Sequence, residues 1–483
     1  MTDTPEAHGI PSAAIESFLD AGEAGIDALH GMVLARHGRV VAEGRWRPYR
    51  AGLPHALFSV SKSFTWTGVG LAVHEGRLSL DDPVLKFFPD AAPAEVSDRL
   101  AAMRVRHLLT MTSGHTGETT ELFTQRRDGD WARGFLELPV EHEPSVHFAY
   151  NSGASYLLSA IVQRRTGETL LDYLRPRLFD SLGIADPTWE TCPRGISASG
   201  WGLALRTGEL ARFGQLYLNG GVFQGRQLVP AEWVREATAW QVSNGRPDAP
   251  SDWSQGYGYQ FWRCRHDAYR GDGAFGQFCL VLPEQEAVLA MTGGLWDMQV
   301  VLDLVWEHLL PALAPGPLPA DDAAARRLAE RLATLELPPE RSRTTPEVSL
   351  GAFAVPEPAP QEAPSLRPPG PGWLEQPAIT GLALAPRAGG WLLTLREGDL
   401  VHHIDCGDGA WLPGEYRSRP VATSAGWADG RTLVVRMCFP QSPFVAAVTC
   451  RFDDAGLTAE PRLNVDFGST EFPAVRLHPA PVP

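Results

Sequence analysis

The sequence predicts an α+β fold: one antiparallel sheet flanked by helices, a helical subdomain beside it, and a β-rich domain at the C-terminal end. Three observations carry this expectation. Strand-like segments at residues 31–46, and again after Asp252, enclose a long stretch that reads as helical. Within that stretch apolar residues recur at three- and four-residue spacing, and each periodic segment stops at glycine. A run with seven prolines between Pro356 and Pro371 then precedes a tail of short apolar segments.

Taken in order, the first helix is expected over Pro11 to Ala24. GMVLARHGRVVAEGRW reads as two strands around a His37–Gly38 turn. From Ser59 to about Trp240 the helical pattern dominates, in SKSFTWTGVGLAVHEG, VRHLLTMTSG, ASYLLSAIVQRRTG and TGELARFGQLYLNGG. GYGYQFWRCR, FGQFCLVLP and AVLAMTGG then read as strands, and a helix is expected from Met298 to Leu310. ADDAAARRLAERLATLEL is a helix-like connector, and the proline-rich run behind it is a linker or surface strap. WLLTLR, TLVVRMCF and PFVAAVTCRF mark the β-rich tail. The simplest closure pairs the strands of both ends in one sheet, with a cleft between sheet and helical subdomain. The division expected is 1–315 for the catalytic domain, 316–372 for connector and linker, and 373–483 for the β-rich domain.

The chain has 483 residues, 44% hydrophobic and 20% charged, as in a globular protein of two or three domains. A formal charge of −15 and the lack of any Lys/Arg-rich run argue against nucleic acid as a partner. The first 25 residues lack a basic and then apolar leader, and no window reaches the roughly 18 apolar residues of a membrane helix. Neither a membrane nor an export route is therefore expected, and a cytoplasmic location is the default. Six scattered cysteines without a CxxC pair read as free thiols. No motif calls for a metal or organic cofactor; His402–His403 and Cys406 fit ordinary strand positions better than a metal pattern.

Of 42 basic residues only Lys62 and Lys86 are lysine; the other 40 are arginine. Arginine keeps its proton in a protein, whereas lysine can surrender it, so a retained lysine invites a chemical question. Lys86, in LKFFPD, reads as solvated surface. Lys62 stands three residues after Ser59 at the start of an expected helix, which puts both side chains on one face. A serine hydroxyl is a weak nucleophile until a neighbour takes its proton, and a desolvated lysine can do so. The helix start also offers N–H groups to an oxyanion. The plain alternative makes Ser59 an N-cap and Lys62 a surface group. Ser61 is a rival nucleophile, one residue from Lys62 and facing away from it.

Two further segments carry polar chemistry. Tyr150, followed by Asn151 and Ser152, precedes a helix in HFAYNSGASYLLSAIV. A tyrosine beside an ammonium is expected to have its pKa lowered, so that it can exchange a proton with the serine. Gly271, Gly273 and Gly276 crowd a predicted strand start in YRGDGAFGQFCLVLP, where glycine permits close approach of a backbone or ligand. Trp66, Trp201, Trp253, Tyr257, Tyr259 and Trp262 are candidates for an apolar pocket, though each also suits a core.

Ser59-Val60-Ser61-Lys62, Tyr150-Asn151-Ser152 and Gly271-Asp272-Gly273 come in the order seen in the serine β-lactamase and penicillin-binding-protein superfamily, and the flanking LDDPVLKFFPD, RHLLTMTSG and GAFGQFCLVLPE agree. Over about residues 10–312 the chain resembles the branch holding class C β-lactamases, family VIII carboxylesterases and 6-aminohexanoate-dimer hydrolases. The resemblance implies a β-lactamase/transpeptidase-like fold with Ser59 as nucleophile and Lys62 and Tyr150 sharing base and acid roles. It further implies an oxyanion hole made by the N–H groups of Ser59 and Ala274, with Asn151, Ser152, Gly271, Asp272 and Gly273 meeting the substrate.

Two places depart from the family pattern. The second motif usually reads Tyr-x-Asn, but here Ser152 takes the third place and Asn151 the second. The third motif usually begins with Lys or His, and here it begins with Gly271, beside Asp272. Without that cation an anionic substrate is expected to bind poorly, and β-lactamase activity to be weak or absent. The expectation is therefore a serine hydrolase that cleaves a small ester or neutral amide through an acyl-enzyme, most like a carboxylesterase. A D-amino-acid peptidase or amidase, and a non-catalytic ligand-binding relative, are the rival readings.

Overall fold

A computed structural model describes residues 3–26, 28–246, 249–355 and 379–480. The proline run from Pro356 to Pro371 lies outside these residues.

Both ends of the first 310 residues do meet in one antiparallel sheet. Helix α1 (Ser12–Gly25) leads into strands β1 (Leu29–Arg36) and β2 (Arg39–Arg45), with His37 and Gly38 at φ 51° and 75° in the turn. A two-residue turn with both φ positive matches the twist of a hairpin. Helices α2 (Ser61–His74), α3 (Ser152–Thr166) and α4 (Thr207–Leu218) belong to the intervening stretch. Strands β3 (Trp262–Arg263), β4 (Tyr269–Gly273), β5 (Gln277–Leu282) and β6 (Ala287–Gly293) return to the sheet, whose order is β2-β1-β6-β5-β4-β3. GYGYQFWRCR, expected as a full strand, supplies only the two residues of β3. Its Tyr257, Tyr259 and Phe261 are anchored in the helical core instead.

Helix α2 is buried from Ser61 to Ala72 and α3 from Ser152 to Val162, so neither shows a clean polar face. They pack against each other in the middle of the helical core. Helix α4 lies against the sheet, and Gly214 makes that possible: a Cβ there would sit 2.5 Å from Val288 and 2.9 Å from Cys279.

The C-terminal domain is a β-barrel. Among the described residues ten strands, from Ala352–Ala354 to Val475–Ala480, form one sheet. An additional pairing of Gly407 with Ser424 closes it. Leu395, Ile404, Trp427, Met437 and Leu457 fill its interior. His402, His403 and Cys406 are strand residues, with His402 bonded to buried Glu397 at 3.0 Å. The described residues contain no helix long and apolar enough to cross a membrane and no cluster suited to a metal ion.

The barrel is stitched to the first domain beside the sheet. The Asn464 amide donates to the Gly294 carbonyl at 2.8 Å, and the Tyr49 hydroxyl to the Ser442 carbonyl at 3.2 Å. Behind Tyr49 the buried rings of His30 and His55 meet at 3.2 Å. Burial holds both imidazoles below their ordinary range, His55 at about 4, and the neighbouring His55 lowers His30 further.

Candidate active site

The nucleophile candidate sits one turn earlier than expected. Phe58–Val60 form a 3-10 turn and α2 begins at Ser61, capped by Val60 rather than by a serine side chain. Ser59 is therefore not an N-cap. Its Oγ accepts a hydrogen bond from Lys62 Nζ at 3.0 Å. The rival Ser61 is fully buried; its Oγ donates to the Phe58 carbonyl at 2.6 Å and accepts from the Leu203 N–H at 3.0 Å. That hydroxyl is committed to the backbone on both sides, which leaves Ser59.

Lys62 is 1% exposed. Besides Ser59 its Nζ donates to Ser152 Oγ at 3.0 Å and to the Gly200 carbonyl at 2.7 Å. None of these partners is a carboxylate. Burial lowers its pKa to about 8, against smaller raising effects from Glu118 and Asp272. Lys86, by contrast, is exposed and paired with Asp82 at 2.8 Å.

Tyr150 packs beside the pair. Lys62 Nζ lies 4.6 Å from its ring centroid, its hydroxyl faces the Ser59 side chain, and Trp262 stacks on it at 5.3 Å. The lowered tyrosine pKa expected from the nearby lysine is not found. Burial first, then the charge of Asp272, pushes the phenol well above its usual range. Lysine is thus the group that gives up a proton easily, and tyrosine the one that keeps it.

The glycines of β4 let the strand approach Ser59 closely. A Cβ on Gly271 would lie 2.6 Å from Ser63 Oγ; on Gly273 it would lie 2.1 Å from the Leu57 carbonyl and 3.0 Å from the Ser59 nitrogen. Neither carries a side chain that can hold a substrate, so both shape the cleft through their backbone. Ala274 follows directly, with its carbonyl fixed by the Gln277 amide at 3.0 Å. Phe58 and Phe275, which flank Ser59 and Ala274, both adopt positive φ, 47° and 69°. Such backbone strain concentrates at functional sites.

Three expected substrate contacts have their side chains engaged within the protein. Asn151 is fully buried; its Oδ1 caps α3 through the Gly153 N–H at 2.9 Å and accepts from Thr119 at 2.8 Å. Ser152, in the third place of the motif, touches Lys62 instead. Asp272, expected among the residues that meet the substrate, stands beside the place of the missing cation. It is 7% exposed and already paired with Arg270, Nε to Oδ2 at 2.9 Å. Arg270 is fully buried and lies on Trp253 at 4.2 Å, so it cannot replace the missing cation of the third motif.

Sequence reasoning missed three contributors. Glu118 accepts from Ser152 Oγ at 2.8 Å and from the Ser152 N–H. Gly200 sits in a Ser-Gly loop pinned between α2 and α3 by Ser199 Oγ to the Ser155 carbonyl at 2.6 Å and Thr65 Oγ1 to the Ser199 carbonyl at 3.1 Å. The barrel adds an aromatic wall: Phe58 meets Phe275, Phe444 and Phe467 at ring separations of 5.3, 6.2 and 6.0 Å. Of the aromatics expected at the pocket, Trp66, Tyr257 and Tyr259 are buried core, and Trp262 supports Tyr150.

Residues 3–294, more than half of the chain, match the family model described as Beta-lactamase. The chain belongs to the Beta-lactamase family. Within it the chain is 28% identical over 264 residues to a 6-aminohexanoate-dimer hydrolase of Paenarthrobacter ureafaciens, covering 50% of this chain and 67% of that protein. It is 28% identical over 210 residues to Esterase EstB of Burkholderia gladioli, covering 38% of this chain and 53% of that one. Among solved structures, the octameric penicillin-binding protein homologue from Pyrococcus abyssi aligns over 96% of this chain and 99% of its own, with a TM-score of 0.50 and 16% identity. At that identity the likeness concerns the fold alone, and it extends over the barrel as well as the Beta-lactamase domain.

Proposed function

We propose that this protein hydrolyses a carboxylic ester through a Ser59 acyl-enzyme. The observation that carries the reading is Lys62 Nζ at 3.0 Å from Ser59 Oγ, buried, with no carboxylate bonded to it. Neutral Lys62 takes the Ser59 proton as Oγ attacks the carbonyl carbon. The N–H groups of Ser59 and Ala274 hold the oxyanion, and the Tyr150 phenol, which keeps its proton at neutral pH, supplies one to the leaving oxygen. Water then attacks the acyl-enzyme and gives a proton to the Tyr150 phenolate, while the Lys62 ammonium returns its proton to Ser59 Oγ as the acid leaves.

The aromatic wall favours a neutral, apolar acyl or alcohol group. The absence of an exposed cation at Gly271 disfavours carboxylate-bearing substrates such as penicillins. An amidase is the second reading, supported by the relative named as a 6-aminohexanoate-dimer hydrolase. Parallel kinetics on 4-nitrophenyl esters, D-aminoacyl amides and benzylpenicillin test the choice. Ester turnover is expected to dominate; amide turnover exceeding it would select the second reading. Mass spectrometry after a fluorophosphonate probe is expected to place the adduct on Ser59, and an unlabelled Ser59 would favour a ligand-binding protein without catalysis.

A further inference from the structure

Lys62 as found here has a proton problem. Its Nζ makes three hydrogen bonds, to Ser59 Oγ, Ser152 Oγ and the Gly200 carbonyl, which is the full donor set of an ammonium. To accept from Ser59 it must turn a lone pair toward that hydroxyl, and so must first lose one proton. The group is buried, so the proton needs a route out. The Gly200 carbonyl can accept a hydrogen bond but cannot pass a proton on.

Ser152 can. Its Oγ accepts from Lys62 at 3.0 Å and donates to Glu118 Oε2 at 2.8 Å. The other Glu118 oxygen is fixed by the N–H groups of Thr119 and Thr120, at 2.9 and 3.0 Å, and by the Thr120 hydroxyl at 2.8 Å. Glu118 as a residue is exposed, so the line runs from a buried amine to water in two hydrogen bonds. Asn in the third place of the motif would break it, because an amide donates and accepts through different atoms.

We propose that Ser152 and Glu118 form a proton outlet for Lys62. In the step, an Nζ–H bond breaks and that proton joins Ser152 Oγ, while the original Ser152 O–H bond breaks and its proton joins Glu118 Oε2. Ammonium plus carboxylate become amine plus carboxylic acid, Ser152 is unchanged, and Glu118 then releases the proton to solvent. The proposal rests on the serine-hydrolase reading. It matters most when the leaving group departs as an anion. A 4-nitrophenolate does not take the Ser59 proton away, so each acylation leaves that proton on Lys62.

The charged and titratable groups facing Lys62 are Glu118, Asp272 and Tyr150. Electrostatics alone and the outlet give opposite signs for Glu118→Gln. Removing a carboxylate makes Lys62 easier to deprotonate, so a purely electrostatic Glu118 predicts a faster variant at pH 7. The outlet predicts a slower one.

The test is steady-state hydrolysis of 4-nitrophenyl acetate at pH 7 by the full chain, at low buffer concentration and with added imidazole. Glu118→Gln is expected to lose about tenfold at low buffer and to recover with imidazole, which can reach the exposed end of the route. Ser152→Asn is expected to lose a similar factor without recovery, because its break lies inside. Equal or faster turnover by Glu118→Gln, or a loss that imidazole does not restore, overturns the outlet. Should Glu118→Gln fail to fold, Ser152→Asn at wild-type turnover overturns it equally. Fluorophosphonate labelling keeps the two readings apart: if the wild-type chain is not labelled at Ser59, the hydrolase reading falls, whereas labelled wild type with an unimpaired Glu118→Gln removes only the outlet.

Discussion

Lys62 and Arg270 are both buried cations on neighbouring elements, and their surroundings are opposite. Arg270 on β4 meets a carboxylate, Asp272, and lies on the face of Trp253. Lys62 on α2 meets two hydroxyls and a carbonyl, with carboxylates only at a distance. The paired cation is locked in its charged form; its pKa is raised in spite of burial, with the charge of Asp272 beside it. The unpaired one is lowered to about 8. A buried charge that has to stay is given a counter-ion, and one that has to come and go is given neutral dipoles.

Exchanging the cation at position 62 should break the comparison most completely. Lys62→Arg keeps the charge but not the ability to lose a proton, and is expected to lower ester kcat/KM by about 1000-fold. In the wild-type chain kcat/KM should climb as pH rises through about 8, as Lys62 becomes neutral. An active Lys62→Arg, or a profile flat across that range, would remove lysine from the chemistry. Asp272→Asn tests the other side: it leaves the Arg270 charge buried without its partner and should cost about 3–5 kcal/mol in urea unfolding. Replacing both, as Arg270→Met with Asp272→Leu, should return most of that loss. A single variant within about 1 kcal/mol of wild type would mean that solvent reaches the pair.

The His30–His55 contact extends the comparison to groups buried neutral. Both folded-state pKa values lie below the unfolded value of about 6.5, so the unfolded chain binds more protons as pH falls. The His55 contribution, on the order of 3 kcal/mol, is complete above about pH 6.5 and is lost on the way down to about 4, and that of His30 is lost in the same direction. Urea midpoints across that window measure it, and His55→Gln should flatten the slope. The smallest effect concerns the apolar side of the site. Phe467 is 66% exposed, so Phe467→Ala should leave the melting temperature nearly unchanged. It should shift selectivity from benzoate toward acetate esters by about threefold, in line with one aromatic contact. An unchanged ratio would separate the aromatic wall from substrate choice.

Much of this arrangement was legible in the chain. Ser59 and Lys62 announce themselves through helical spacing and through the scarcity of lysine. Gly271 and Gly273 announce a close approach, and the strands at both ends announce the sheet. What was hidden depends on distance along the chain. Glu118 reaches Ser152 across 34 residues, and no periodicity marks it. The direction of the Tyr150 shift turned on burial and on Asp272, neither of which a neighbouring lysine reveals. The pairing of Arg270 with Asp272 went unread in the sequence, because only the folded strand shows that both are enclosed. Phe444 and Phe467 lie in a domain whose own pattern speaks only of strands.

That last feature bears on what the two halves of the molecule need from each other. Phe58 and Phe275, immediate neighbours of Ser59 and Ala274, are covered by rings from the barrel. Cutting the barrel away would uncover greasy surface right beside Ser59 and Ala274. Any other barrel put in its place would have to re-fit the rings over Phe58 and Phe275 at the same time.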